Sequence, residues 1–237
     1  MRKTIAAGTV VFLGFAVFFA PAGILRTWVP PEVTLVNPAG TLWQGHAQLI
    51  VRGRPLGELQ WRINPAAMLN AALRYDLGLR TAHDNLAGTI EVLPLADTTR
   101  IEVSGRLSAG AINEWLRPYQ ISLSGSFRLD NVELTFTGRT PTAANGTITW
   151  TGGPVTYVLS GKTSTGNLPE TLAYLGDIPQ AVVFEVGGQT PLMRAELLAN
   201  GYAKIGITKY LTRLLNAPWP GSDPDHAVVL EVEEQVF

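Results

Sequence analysis

The sequence predicts a mainly β protein: an N-terminal transmembrane helix followed by an antiparallel β-meander domain with a few short helices. Three observations carry this. Beyond Arg26, apolar and polar residues alternate with period two over many short stretches, which places every second side chain on one face of a strand. Glycines recur through those stretches at a nearly constant interval. Before them, Thr4 to Leu25 form one uninterrupted apolar run without a charge.

That run of 22 residues comes first in the chain. As a helix rising about 1.5 Å per residue it spans roughly 33 Å, enough for a hydrocarbon core of about 30 Å. Arg2 and Lys3 precede it, so the short N-terminus is expected to stay cytoplasmic. Trp28 then falls at the depth where an indole prefers the lipid–water interface. The expected division is residues 1–3 as a cytoplasmic N-terminus, 4–25 as a transmembrane signal-anchor helix, and 26–237 as one periplasmic β-rich domain. A cleavable secretory signal competes, because Ala20-Pro21-Ala22 imitates a small-residue cleavage site. Against cleavage, the run exceeds the roughly 7–15 residues usual for a signal core. Both readings export the bulk of the chain. An exported domain with 0 cysteines suits a bacterial envelope, where disulfides are optional.

Strands are expected at Ala47–Val51, Leu59–Ile63, Thr89–Leu93, Ile101–Val103, Val155–Leu159, Val182–Val186 and Val228–Val232. Thr, Ser, Glu and Arg fill the alternate positions, as in an antiparallel sheet with one packed and one wet face. Phe127, Leu129, Asp130-Asn131, Val132, Leu134 and Phe136 read as a β-hairpin turning at Asp130-Asn131. Asn145-Gly146 reads as a second turn between strands. Gly88, Gly105, Gly125, Gly146 and Gly166 lie 17, 20, 21 and 20 residues apart, about two short strands plus their turns. A meander that grows one hairpin at a time follows from that interval, unless the glycines only mark turns.

Four short helices interrupt the strands. Asn64-Pro65 supplies an N-cap and a first-turn proline for Pro65–Ala72. Ser108 caps Ala111–Leu116, which Pro118 stops. Leu168-Pro169 starts a turn or two through Tyr174, closed by Gly176. Thr208 precedes Lys209–Leu215, where Tyr210, Leu211, Leu214 and Leu215 fall at helical spacing. Residues 216–224 then form a loop.

The inventory for chemistry is thin. From Arg26 onward, 16 Lys+Arg meet 19 Asp+Glu, so no basic excess argues for nucleic acid. Without cysteine there is no thiolate zinc and no thiol nucleophile. His46, His83 and His226 are scattered, and neither a Gly-x-Ser-x-Gly elbow nor a Ser-x-x-Lys pair occurs. Asp223-Pro-Asp225-His226 is the one local group of metal-ligating types, and it reads better as a turn with solvated charges. Gly152-Gly153-Pro154 and Gly187-Gly188 lack the Lys-Ser/Thr of a phosphate loop. No catalytic residue, cofactor or metal is expected. Trp43, Trp61 and Trp150 lie near glycines in strands, where an indole covers exposed backbone; a ligand or partner surface is the alternative.

Gly40-Thr41-Leu42-Trp43-Gln44-Gly45 leads into Gly57-Glu-Leu-Gln-Trp61-Arg-Ile-Asn-Pro65, and a related pattern returns from Gly146 through Trp150 to Gly152. After a basic start and a single anchor, these motifs resemble the type II secretion system protein N family. There, a Gly-Thr-x-Trp-x-Gly element leads to a Leu-x-Trp-x-x-x-Pro element in the periplasmic domain. The resemblance implies a non-enzymatic, single-pass accessory of the cell inner membrane with its bulk in the periplasm. Its role would be export of folded periplasmic proteins across the outer membrane. Implied partners are inner-membrane platform proteins, with the outer-membrane secretin as a further candidate. Gly40, Thr41, Trp43, Gly45, Gly57, Trp61, Pro65, Gly146 and Trp150 would be structural or partner-contact positions, with Trp43→Ala costing several kcal/mol.

Repeating meanders with one greasy face also look like AsmA-type envelope proteins, which implies lipid binding or transfer through a sheet groove. The two readings diverge on whether Phe127, Leu129, Val132, Leu134 and Phe136 face a packed core or an open groove.

Overall fold

Hydrogen-bond register turns the alternation in sequence into two chemically distinct faces. The computed structural model describes residues 19–27, 29–81, 83–138, 140–159, 161–178, 181–187, 190–198 and 201–235, with backbone alone for 177, 178 and 181–187. Its strands are β1 (Val33–Gly40), β2 (Gln44–Val51), β3 (Arg54–Asn64), β4 (Leu73–Arg80), β5 (Asn85–Leu93), β6 (Thr98–Ser108), β7 (Ile121–Leu123) and β8 (Ser126–Thr137). They continue as β9 (Thr140–Trp150), β10 (Gly153–Leu159), β11 (Lys162–Leu168), β12 (Thr171–Ile178), β13 (Ala181–Gly187), β14 (Pro191–Leu198), β15 (Tyr202–Thr208) and β16 (Val228–Gln235). Helices α1 (Ala109–Leu116) and α2 (Lys209–Leu214) are short. Thirteen strands form one antiparallel meander in the order β1-β2-β3-β4-β5-β6-β8-β9-β12-β13-β14-β15-β16, and β11-β10-β7 form a small second sheet.

Tyr75, Ile90, Ile101 and Leu134 lie on one register line across β4, β5, β6 and β8, on the apolar face. Arg100 lies on the opposite face and bridges Glu91 of β5 at 3.2 Å and Glu133 of β8 at 2.9 Å. The mainly β, antiparallel prediction therefore holds, whereas the hairpin-by-hairpin growth is interrupted between β6 and β8 and between β9 and β12, where β7, β10 and β11 leave for the small sheet.

The apolar face curls on itself. Leu197 of β14 packs into the cluster of Val132, Ala144 and Leu175, with Leu129, Leu134 and Ile148 beside it. Strands β8 and β14 are four places apart, which in a flat sheet would be roughly 19 Å. Two further clusters close the ends. Ala22, Leu35, Ala47 and Trp61 form one, and Trp150, Val155, Leu168, Leu192 and Leu211 form the other, where α2 and the small sheet cover the large one.

The sequence reading needs three corrections. Asp130-Asn131 is not a hairpin turn: β8 runs straight through it, pairing with β6 on one side and β9 on the other, and absorbs the extra residue as a bulge. Asn131 takes φ 48° there, and its N–H donates to the Ser104 hydroxyl at 3.1 Å. Asn145-Gly146 likewise lies inside β9, because Gly146 seats against that bulge. A Cβ on Gly146 would stand 2.7 Å from the Val132 Cα. The segment expected to turn helically from Leu168 to Tyr174 instead ends β11 at Leu168 and enters strand β12 at Thr171, hydrogen-bonded to both β9 and β13. Two ladders outbid the few bonds of a helix this short. Finally, Gly88, Gly105 and Gly146 lie within strands where neighbouring backbones approach, which sets aside the alternative that the glycines only mark turns.

The other helices form with local adjustments. Asn64 Oδ1 accepts the Ala66 N–H at 3.1 Å, starting a 3-10 helix over Pro65–Asn70. The Ser108 side chain makes no capping bond to α1; its N–H donates instead to the buried Asp84 carboxylate.

Residues 4–18 of the expected anchor, and Trp28, lie outside the described residues. Ala20 to Thr27 belong to the packing of the β domain: Pro21 bridges to Thr41, the Leu42 N–H donates to the Ala20 carbonyl at 2.8 Å, and a 3-10 helix over Ala22–Thr27 lies against β1. Among the described residues, no helix is long and apolar enough to cross a membrane.

Candidate functional site: the β1–β2 motif turn

Gly40 to Gly45 make the tight connection between β1 and β2. Thr41 N–H donates to the Gln44 carbonyl at 2.8 Å, while the Thr41 hydroxyl accepts the N–H groups of Trp43 and Gln44 at 3.3 Å each. Glycine is required at Gly45 by close approach. A Cβ there would stand 2.6 Å from Cζ2 of Trp61. The indole lies in that space, 5% exposed, and its Nε1–H donates to the Thr41 carbonyl at 3.1 Å. Gly40, Thr41, Gly45 and Trp61 are thus one physical unit, joined to the N-terminal segment through the Pro21–Thr41 bridge.

The remaining motif positions are dispersed. Trp43 is half-buried, and its carbonyl accepts the Ile63 N–H at 2.7 Å. Gly57 has φ 134° at the irregularity between β2 and β3. Pro65 is exposed at the start of its 3-10 helix. Gly146 and Trp150 belong to the other half of the sheet. Trp150 nevertheless repeats the arrangement of Trp61: it is buried, and its Nε1–H donates to the Ser124 carbonyl at 2.8 Å, next to Gly125. Phe127 stacks on it at 5.9 Å between centroids.

Beside the motif turn lies an open depression of about 520 Å³. Gln44, His46, Gln60, Arg62 and Asp76 line it from the polar face, and Gly45, Trp61 and Leu77 from the apolar one. Sequence reasoning assigned none of these polar residues to a site, although each occupies an alternate position of its strand. It also passed over Arg54, whose guanidinium lies 5.6 Å from the Trp115 ring centroid and joins β3 to α1. Burial raises the pKa of the Tyr75 phenol, which packs against the Trp61 cluster. Among the described residues, no three His, Asp or Glu side chains gather where they could hold a metal.

The sequence model of the type II secretion system (T2SS) protein N family matches residues 31–214, from the approach to β1 through α2. The chain belongs to this family. It is therefore a component of the type II secretion system, works in protein transport, and associates with other proteins of that system. No curated protein and no solved structure matches the chain. Within the family span, the turn around Trp61 and its counterpart around Trp150 are two structural units of the same design.

Proposed function

We propose that this chain is an accessory structural component of the secretion machine that docks inner-membrane platform proteins during export of folded periplasmic proteins across the outer membrane. In this reading the apolar run that begins at Thr4 anchors it once in the inner membrane, and the β domain stands in the periplasm within reach of the secretin system. The observation that carries it is the bond between the motif turn and the end of the apolar run. Pro21 and Ala20 join Thr41 and Leu42 directly, with no free linker between them. A domain fixed to its anchor in this way presents its Trp43–Trp61 side at a constant place near the membrane.

Lipid handling is the weaker reading. Leu129, Val132 and Leu134 pack in a core cluster, and Phe127 packs against the cluster of Trp150. In-cell photocrosslinking from the Trp43–Trp61 region and from Phe127, with mass spectrometry of the adducts, separates the two. Adducts with platform proteins from the Trp43 side are expected. Adducts mainly with phospholipid or lipopolysaccharide, from the Phe127 side, would replace the docking role with a lipid one.

A further inference from the structure

The two edges of the large sheet are treated differently. The β1 edge is closed to pairing. Asn37 takes φ 51°, Pro38 has no N–H to donate, and the register breaks between Val36 and Ala39. Residues 20–27 lie along it, with Ala22 only 1% exposed and Arg26 Nε bonded to the Leu35 carbonyl at 3.0 Å. The β16 edge has no such cover. Among the described residues β16 pairs with β15 alone, over eight residues that include neither proline, glycine nor lysine. Proline and lysine are among the devices by which proteins block an edge strand; β16 carries instead glutamates and one register break beside Val228, which leaves Leu230 to Glu233 as a regular run.

Its side chains alternate in a readable way. Leu230 and Val232 are 43% and 44% exposed on the apolar face, whereas Ile205 and Ile207 beside them on β15 are partly buried; Val228, 50% exposed, stands past a register break on the other face, over Gly206. Glu231 and Glu233 stand on the polar face, and Glu234 accepts a hydrogen bond from the Tyr119 hydroxyl. The strand carries no basic residue; its nearest cation is Lys204 of β15, 3.0 Å from Glu231. Exposed valine and leucine with an unpaired backbone row form a template for one more strand. Charge then selects among strands. A second copy of β16 would set glutamate against glutamate across the pair, which is destabilising.

We propose that the free edge of β16 docks an extended segment of another secretion-system protein whose side chains alternate between basic and apolar. The segment adds antiparallel or parallel to β16, continuing its backbone ladder, with lysine or arginine opposite Glu231 and Glu233 and apolar residues extending Leu230 and Val232. This rests on the docking role proposed above and adds a second contact, beyond residues 31–214 and on the opposite sheet edge from the motif turn.

The test is hydrogen exchange of the full chain in detergent micelles, with a synthetic peptide of four Lys-Val repeats and a matched peptide of four Glu-Val repeats. The Lys-Val peptide at about ten times its dissociation constant is expected to slow exchange across Val228–Gln235 about tenfold. The Glu-Val peptide is expected to leave it unchanged. The double variant Glu231→Gln/Glu233→Gln should lose the discrimination while its exchange without peptide stays as in the parent, which shows that β16 still forms. Protection by neither peptide, or equal protection by both, overturns the proposal. In cells, photocrosslinks from position 233 to other secretion proteins are expected, and crosslinks only to further copies of this chain overturn it. Platform adducts from the Trp43 region that persist while position 233 stays silent would remove the edge site and leave the proposed function standing.

Discussion

Trp61 has one acceptor for its indole N–H, the Thr41 carbonyl at 3.1 Å, and that bond draws the β1–β2 turn over the ring. Truncation would leave a cavity and free the turn, so Trp61→Ala is expected to cost about 3–5 kcal/mol. Trp61→Phe keeps most of the ring but removes the donor, and should cost about 1–2 kcal/mol beyond the packing change. Trp43, which the sequence singled out for a loss of several kcal/mol, is half-buried and should lose less than Trp61 on truncation. Urea unfolding of the full chain in micelles, followed by far-ultraviolet circular dichroism, orders the three variants. A larger loss at Trp43 than at Trp61 would sink the view that Trp61 is the centre of the turn. That an indole would cover a strand glycine was legible for Trp61, but not which glycine: it lies over Gly45 of the neighbouring strand, not over Gly57 of its own. Nor was it legible which tryptophan is buried, since Trp43 and Trp61 both alternate with polar neighbours.

Helix caps and strands show where local signals suffice. Thr208 is read correctly because its cap is local: its hydroxyl accepts the Leu211 N–H at 3.4 Å. Its second task is not visible in sequence. The same hydroxyl lies 2.9 Å from the Pro191 and Leu192 carbonyls, tying α2 to β14. Thr208→Val is therefore expected to cost about 1–3 kcal/mol, more than the cap alone. Arg100→Ala, by contrast, removes two ion pairs on the exposed face and should cost less than about 1 kcal/mol. Thermal unfolding of both variants checks the order, and an Arg100 loss above that of Thr208 would overturn it. Asp130-Asn131 and Leu168-Pro169 misled for one reason. Each carries turn chemistry, but the strands on either side offer two ladders, and pairing at a distance overrides a local preference. Gly146→Ala tests the bulge: at φ 113°, with Val132 Cα in the way, it should cost about 1–3 kcal/mol.

At the scale of the whole sheet, alternation and the glycine interval were enough to anticipate a meander, but not its closure. Nothing periodic tells Leu197 that it will meet Val132. The packing that results is divided. The cluster around Trp61 draws on the 3-10 helix over Ala22–Thr27, Val29 and β1 to β4, the cluster around Trp150 draws on β7 to β11, β14, β15 and α2, and they share no residue. Between them, each strand is held chiefly by its two neighbours, an arrangement in which stability is carried by local units and nearest-neighbour interfaces. Trp61→Ala should therefore raise amide exchange in β1 to β4 and leave β9 to β12 near the parent rates. Trp150→Ala should do the reverse, through loss of its stack with Phe127 and its bond to Ser124. Hydrogen exchange with mass spectrometry on the full chain resolves the two halves. Equal acceleration in both halves by either variant would mean that the sheet opens as a single cooperative body, with the curl at Val132 and Leu197 transmitting the loss.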